Sequence, residues 1–229
     1  MLTTDDTAFL AALQLADSAL PIGRFVHSHG LESWLTYAPD ATAQEIADLA
    51  LAVVEASVAT LDGVILAHAH SARTLGELVA LDRLLTARKL IPSAREASQR
   101  PGGRLAALAL EFTDDELCGG FVRLVQGDGT DGNLAVVEGV LGRALGLSAR
   151  QTVLLELRGV ASGLLSAAVR LGRMTPTYAQ LAMQRSAPRL ATAAAGTLER
   201  TLEQTSSSIP CLELHALRHH RSAMRFFAT

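Results

Sequence analysis

Apolar residues along this chain recur at steps of three and four far more often than at steps of two. The clearest run is Leu154, Leu157, Ala161, Leu164, Ala168 and Leu171, which puts an apolar stripe on one helical face. Helix starts are marked too. Thr42-x-x-Glu45, Thr74-x-x-Glu77, Thr113-x-x-Glu116 and Ser148-x-x-Gln151 have capping-box spacing, in which the hydroxyl accepts from the backbone and the acid or amide reaches back. Thr175 stands before Pro176 at a first helical position, and Ile209-Pro210 marks another start. These signals predict helices over 7–19, 31–37, 42–60, 62–73, 74–88, 93–111, 114–125, 134–146, 148–171, 176–204 and 210–222. Pro101-Gly102-Gly103 predicts an interruption or kink in the sixth of these, and Gly127 to Asn133 a polar turn. No stretch alternates long enough for a strand, and no linker or repeat divides the chain. The expectation is an all-α single domain over residues 1–229, a bundle of about ten helices.

Composition agrees. Ala and Leu make up about a third of the residues and aromatics only 4%, which favours close-packed helices over strands. Cys118 and Cys211 lie in no metal or redox spacing, so reduced core thiols are expected. The first ten residues lack the form of a signal peptide, and no uninterrupted apolar run reaches the length of a bilayer span. A cytoplasmic protein with no membrane contact is therefore expected. Charge is unevenly spread. Residues 1–70 carry nine acids and one base, whereas residues 151–229 carry four acids and nine bases. Opposed ends either attract one another within the fold or meet oppositely charged partners. No dense basic cluster interleaves with aromatics, which argues against nucleic acid.

Residues 13–32 stand apart from this helical pattern. An apolar run ends at Asp17-Ser18, crosses Pro21 and Gly23, and passes Phe25-Val26-His27-Ser28-His29-Gly30 before helix signals return at Leu31-Glu32. One proline and two glycines make this a shaped connector. It resembles the N-terminal signature of the urease accessory protein UreF family, D-S-A-x-P-x-G-x-F-x-x-S-H-G-L-E, with Asp17, Ser18, Ala19, Pro21, Gly23, Phe25, Ser28, His29, Gly30, Leu31 and Glu32 all matching. Ile22 and Arg24 stand where small residues are usual.

The resemblance continues through Ala94-Arg95-Glu96-Ala97-Ser98 and through Ala135 to Leu147, where Glu138 replaces a common aromatic. It extends to Ser166 to Leu171 and to the end, where Ala228 and Thr229 replace an arginine and a serine. What it implies is an all-α dimer that joins UreD-type and UreG-type proteins and couples the latter's GTP hydrolysis to nickel insertion into apo-urease. Partner-contact candidates on this basis are Asp17, Ser18, Pro21, His29, Gly30, Glu32, Arg95 and Glu96. Near the C-terminus, Arg218, Arg221 and Arg225 recur on one helical face, and His219, Phe226 and Phe227 join them as contact candidates. That segment either meets a partner or folds back on its own core.

Catalytic signatures are missing: no phosphate-binding G-x-x-x-x-G-K-[ST], no H-E-x-x-H and no G-x-S-x-G. The expectation is a scaffold, not an enzyme, with no firmly bound cofactor. His68 and His70 are two apart on a predicted helix and point about 200° from each other, a poor grip on one ion. His215 and His219, four apart, are the weak metal candidates, with Cys211 one turn earlier. A nickel-binding carrier using these histidines, or a transient nickel contact, is the alternative reading. His29 reads as an organiser of its loop, and His27 as its neighbour.

Overall fold

A computed structural model of the chain describes residues 4–24 and 30–209. Among these residues the fold is all-α, without a strand, as expected. Its helices are α1 (Thr4–Ala16), α2 (Leu31–Tyr37), α3 (Ala43–Ser71), α4 (Leu75–Arg88), α5 (Pro92–Phe112), α6 (Glu116–Gln126), α7 (Leu134–Ala144), α8 (Ala149–Arg170) and α9 (Pro176–Leu198).

The hub is α7. Every residue from Leu134 to Gly142 is buried, as a helix must be when apolar all round. The second half of α3 lies along it, α5 and α6 cover another side, and α8 packs between α7 and α9. Leu157, Ala161, Leu164 and Ala168 of the predicted stripe are buried in the core, and Leu154 and Leu171 pack at its margin. Thr42, Thr74 and Ser148 form complete capping boxes, and Thr175 caps α9 ahead of Pro176.

Elsewhere the structure corrects the expectation. The cap of α6 is Asp115, not Thr113: its carboxylate accepts from the Cys118 amide at 2.8 Å, while the Thr113 hydroxyl accepts from the Asp115 amide at 3.2 Å. A charged acceptor nearer the helix end outcompetes a hydroxyl farther back. The helices expected over 42–60 and 62–73 are one, because Gly63 keeps helical angles. The chain widens to π-helix over Val54–Asp62, with the Gly63 amide donating to the Val58 carbonyl. Helix α5 runs through Pro101, Gly102 and Gly103 without a break. Helix α9 stops at Leu198, and Thr201 then caps a separate 3-10 turn over Leu202–Gln204.

By length and composition alone α3 and α8 could cross a bilayer, although neither is an uninterrupted apolar run. Most of each apolar stretch is nevertheless buried against the chain's other helices, which is how the core helices of a bundle are built. The helix expected over 210–222 lies outside the described residues.

Candidate partner-contact site

The connector leaves α1 at Asp17, whose carboxylate accepts from the Ala19 amide at 2.8 Å and so competes with further helix. Asp17, Ser18 and Pro21 are exposed, whereas Ile22 is only 4% exposed and reaches the core. Gly23 has φ +75°, a left-handed angle, and the Arg104 guanidinium lies where a side chain at 23 would stand. Arg104 also donates to the Ile22 carbonyl at 3.4 Å. Gly30, at φ +84°, opens α2 and is buried, and Glu32 follows in its first turn.

Arg24 turns inward. Its Nη1 donates to Glu138 Oε1 at 2.8 Å, and its Nη2 donates to Glu156 Oε2 and to the Glu156 carbonyl, the latter at 3.2 Å. The two carboxylates sit on α7 and α8, so one guanidinium ties the connector to both helices. Their side chains are 9% and 5% exposed and that of Arg24 is 13%. Nearby, Lys89 Nζ lies 2.8 Å from Asp62 Oδ1, at the end of the π-helical stretch. Burial pushes the Glu138 carboxyl above the usual carboxylate range. Arg24 pulls it back, and the negative charge of Asp62 adds to the rise. A cavity of about 220 Å³ between α3, α5 and the connector is lined by Arg24, Asp62, Lys89, Ser98 and Glu156.

A second buried carboxylate organises the polar turn. Asp82 is fully buried on α4 and accepts from the Thr130 hydroxyl at 2.6 Å, and at 2.8 Å from the Gly132 amide, the Asn133 amide and Asn133 Nδ2. It thereby clamps residues 130–133 and fixes where α7, which carries Glu138, begins.

The remaining candidates are dispersed. Arg95 is half-buried and donates to the Lys89 carbonyl at 3.1 Å, closing the end of α4, while exposed Glu96 pairs with Arg100 at 3.3 Å. His68 and His70 diverge, as their spacing predicts: Nε2 of His68 lies 3.4 Å from the Arg200 carbonyl, and Nε2 of His70 lies 2.8 Å from that of Leu147. Among the described residues no group of three or more His, Cys, Asp or Glu is placed to hold a metal ion. Cys118 is a free, buried thiol whose pKa is pushed up to about 12, chiefly by burial. His27, His29, Cys211, His215, Arg218, His219, Arg221, Arg225, Phe226 and Phe227 lie outside the described residues. Among the described residues the opposed charges of the two ends meet where Arg189 of α9 forks onto Glu55 of α3 at 2.8 and 2.7 Å. Sequence reasoning missed the Arg24 bridge, the Asp62–Lys89 pair and the Asp82 clamp. Each joins residues far apart in the chain, and the one available signal was that Arg24 and Glu138 both departed from the expected pattern.

Comparison with known proteins places this geometry. A family model described as UreF matches residues 41–187, from the capping box of α3 into α9. The urease accessory protein UreF of Trichodesmium erythraeum (strain IMS101) is 28% identical over 235 residues, covering all of both chains. That of Corynebacterium efficiens is 26% identical over 227 residues, 99% of each. Urease accessory protein UreF 2 of Brucella canis is 29% identical over 221 residues, 95% of this chain and 90% of the relative. With the family matched over more than half of its length and relatives of the same description aligned from end to end, the chain belongs to the UreF family of urease accessory proteins.

Proposed function

We propose that this protein is a cytoplasmic scaffold that binds a UreD-type accessory protein and a UreG-type GTPase, as a homodimer within that complex. The complex inserts nickel into apo-urease at the expense of the partner's GTP. The observation that carries this reading is the end-to-end similarity to proteins named urease accessory protein UreF. The structure supports a contact role at one edge. Phe9, Leu10 and Leu13 of α1 are more than half exposed, and the exposed Asp17, Ser18 and Pro21 follow directly, so an apolar patch and a rigid polar turn adjoin. Arg218, Arg221, Arg225, Phe226 and Phe227 supply the second contact surface in this reading.

The test is deletion of this gene from cells that express the complete urease operon. Urease subunits should accumulate without activity, and the wild-type gene should restore it. Co-purification with the UreD-type partner should weaken for Phe226→Ala with Phe227→Ala while circular dichroism stays unchanged. Full urease activity in the deletion strain would overturn the reading, and restoration by excess nickel alone would favour the carrier role through His215 and His219.

A further inference from the structure

The Arg24 bridge is an odd way to stabilise a helical bundle. One guanidinium and two carboxylates leave water together, and the geometry does not satisfy them all: Arg24 Nε and Glu138 Oε2 are buried without a partner. A buried ionic group of this kind is usually no more stable than apolar residues of equal volume, because desolvation offsets the attraction. What it does supply is position. An apolar side chain at 24 would slide along the α7–α8 edge, whereas a planar fork held by two carboxylates and one carbonyl has a single seat.

That seat is shaped for it. Gly159 of α8 lies directly beneath, and a Cβ there would come 2.6 Å from Arg24 Cζ and 2.7 Å from Nη1. Any side chain at 159 would force the guanidinium to shift from this seat. The room left by the missing side chain at Gly159 is thus taken by this chain's own arginine. Residues 17–24 are otherwise tied to the bundle by Ile22 in the core, by Leu20 packed against it and by the long contact from Arg104.

We propose that Arg24 is a positioning residue, which locks residues 17–24 onto α7 and α8 through Glu138, Glu156 and the seat over Gly159, and so sets how Asp17, Ser18 and Pro21 face a partner. The second half rests on the partner-contact reading given above; the first does not.

Hydrogen–deuterium exchange on the full-length protein separates the two. In Arg24→Met and in Gly159→Ala, amides of residues 17–24 should exchange about tenfold faster or more, while α9 stays within about twofold of wild type. Arg24→Lys, which keeps the charge but not the fork, should fall between. If Arg24→Met does not fold, Gly159→Ala and Arg24→Lys carry the same comparison. Exchange in 17–24 that stays within about twofold in these variants overturns the proposal, as does a rise spread equally over all helices. Co-purification with the UreD-type partner is then measured on the same variants and should fall with the loosening. A loosened connector with undiminished co-purification would support the lock and reject this edge as the partner surface.

Discussion

Asp82 offers the sharpest test of how this fold is held. Replacing it with alanine removes the acceptor of four hydrogen bonds, two of them from the buried backbone amides of Gly132 and Asn133. Asn133 Nδ2 keeps the Thr86 hydroxyl at 2.8 Å, and the half-buried Thr130 hydroxyl can turn to water, so the stranded groups are the two amides. Each unsatisfied buried N–H costs about 1–3 kcal/mol, so the middle of the range for two amides, with a small addition for the void left by the carboxylate, is roughly 3–5 kcal/mol. That is a large part of the 5–15 kcal/mol typical of a folded chain, and at about 2–4 °C per kcal/mol the midpoint of thermal unfolding should fall by roughly 6–20 °C. Urea titration followed at 222 nm reads the same loss with an unchanged slope. Asp82→Asn, which keeps the volume but points a donor at one of the amides, should lie between, and Thr130→Val should cost less than about 1 kcal/mol. A loss under about 1 kcal/mol for Asp82→Ala would refute the reasoning, since it would mean that the turn and the start of α7 find their hydrogen bonds elsewhere.

Two further outcomes follow from the packing around α7. Gly139→Ala would place a methyl 2.6 Å from the Leu66 carbonyl oxygen and 2.9 Å from Ala69 Cβ, so α3 must retreat and stability should drop by about 1–3 kcal/mol. Gly196→Ala, with open space around it on α9, should be neutral or gain up to about 1 kcal/mol, and equal urea midpoints for the two would refute the close approach. His70 is held below its ordinary pKa, first by burial and then by the charge of Arg143, with the Leu147 hydrogen bond opposing. The unfolded state then binds the proton more readily, so the stability contributed is present above about pH 6.5 and lost as pH falls through the lower folded value. Urea midpoints between pH 7.5 and 5.5 should fall more for wild type than for His70→Gln, and parallel curves would remove His70 from the pH dependence.

Local rules wrote themselves plainly into this chain. The boxes at Thr42, Thr74 and Ser148 and the Thr175-Pro176 start need only contacts within four residues, and each formed as spaced. Where two local solutions competed, spacing alone misled: Asp115 displaced Thr113, and a π-helical turn carried α3 through the expected break near Asp62. The glycines were ambiguous for another reason. Gly102 and Gly103 do not break α5, and Gly102 instead admits the turn, since a Cβ there would stand 2.0 Å from the Gly132 carbonyl oxygen, whereas Gly159 matters for what sits upon it.

The long-range bonds were not legible one residue at a time, and the connector shows why. Ile22 and Arg24 looked like bulky intrusions into a pattern of small residues, and Glu138 like an acid misplaced among apolar neighbours. In the fold Ile22 and Arg24 both turn inward, one into the core and the other onto Glu138, 114 residues away. An arginine buried alone and a glutamate buried alone would each be costly, and each acquires a partner only in the presence of the other. Departures that look damaging singly are therefore informative in pairs of opposite charge. Had Arg24 and Glu138 been weighed together, the contact between the connector and α7 would have been the simplest way to bury both.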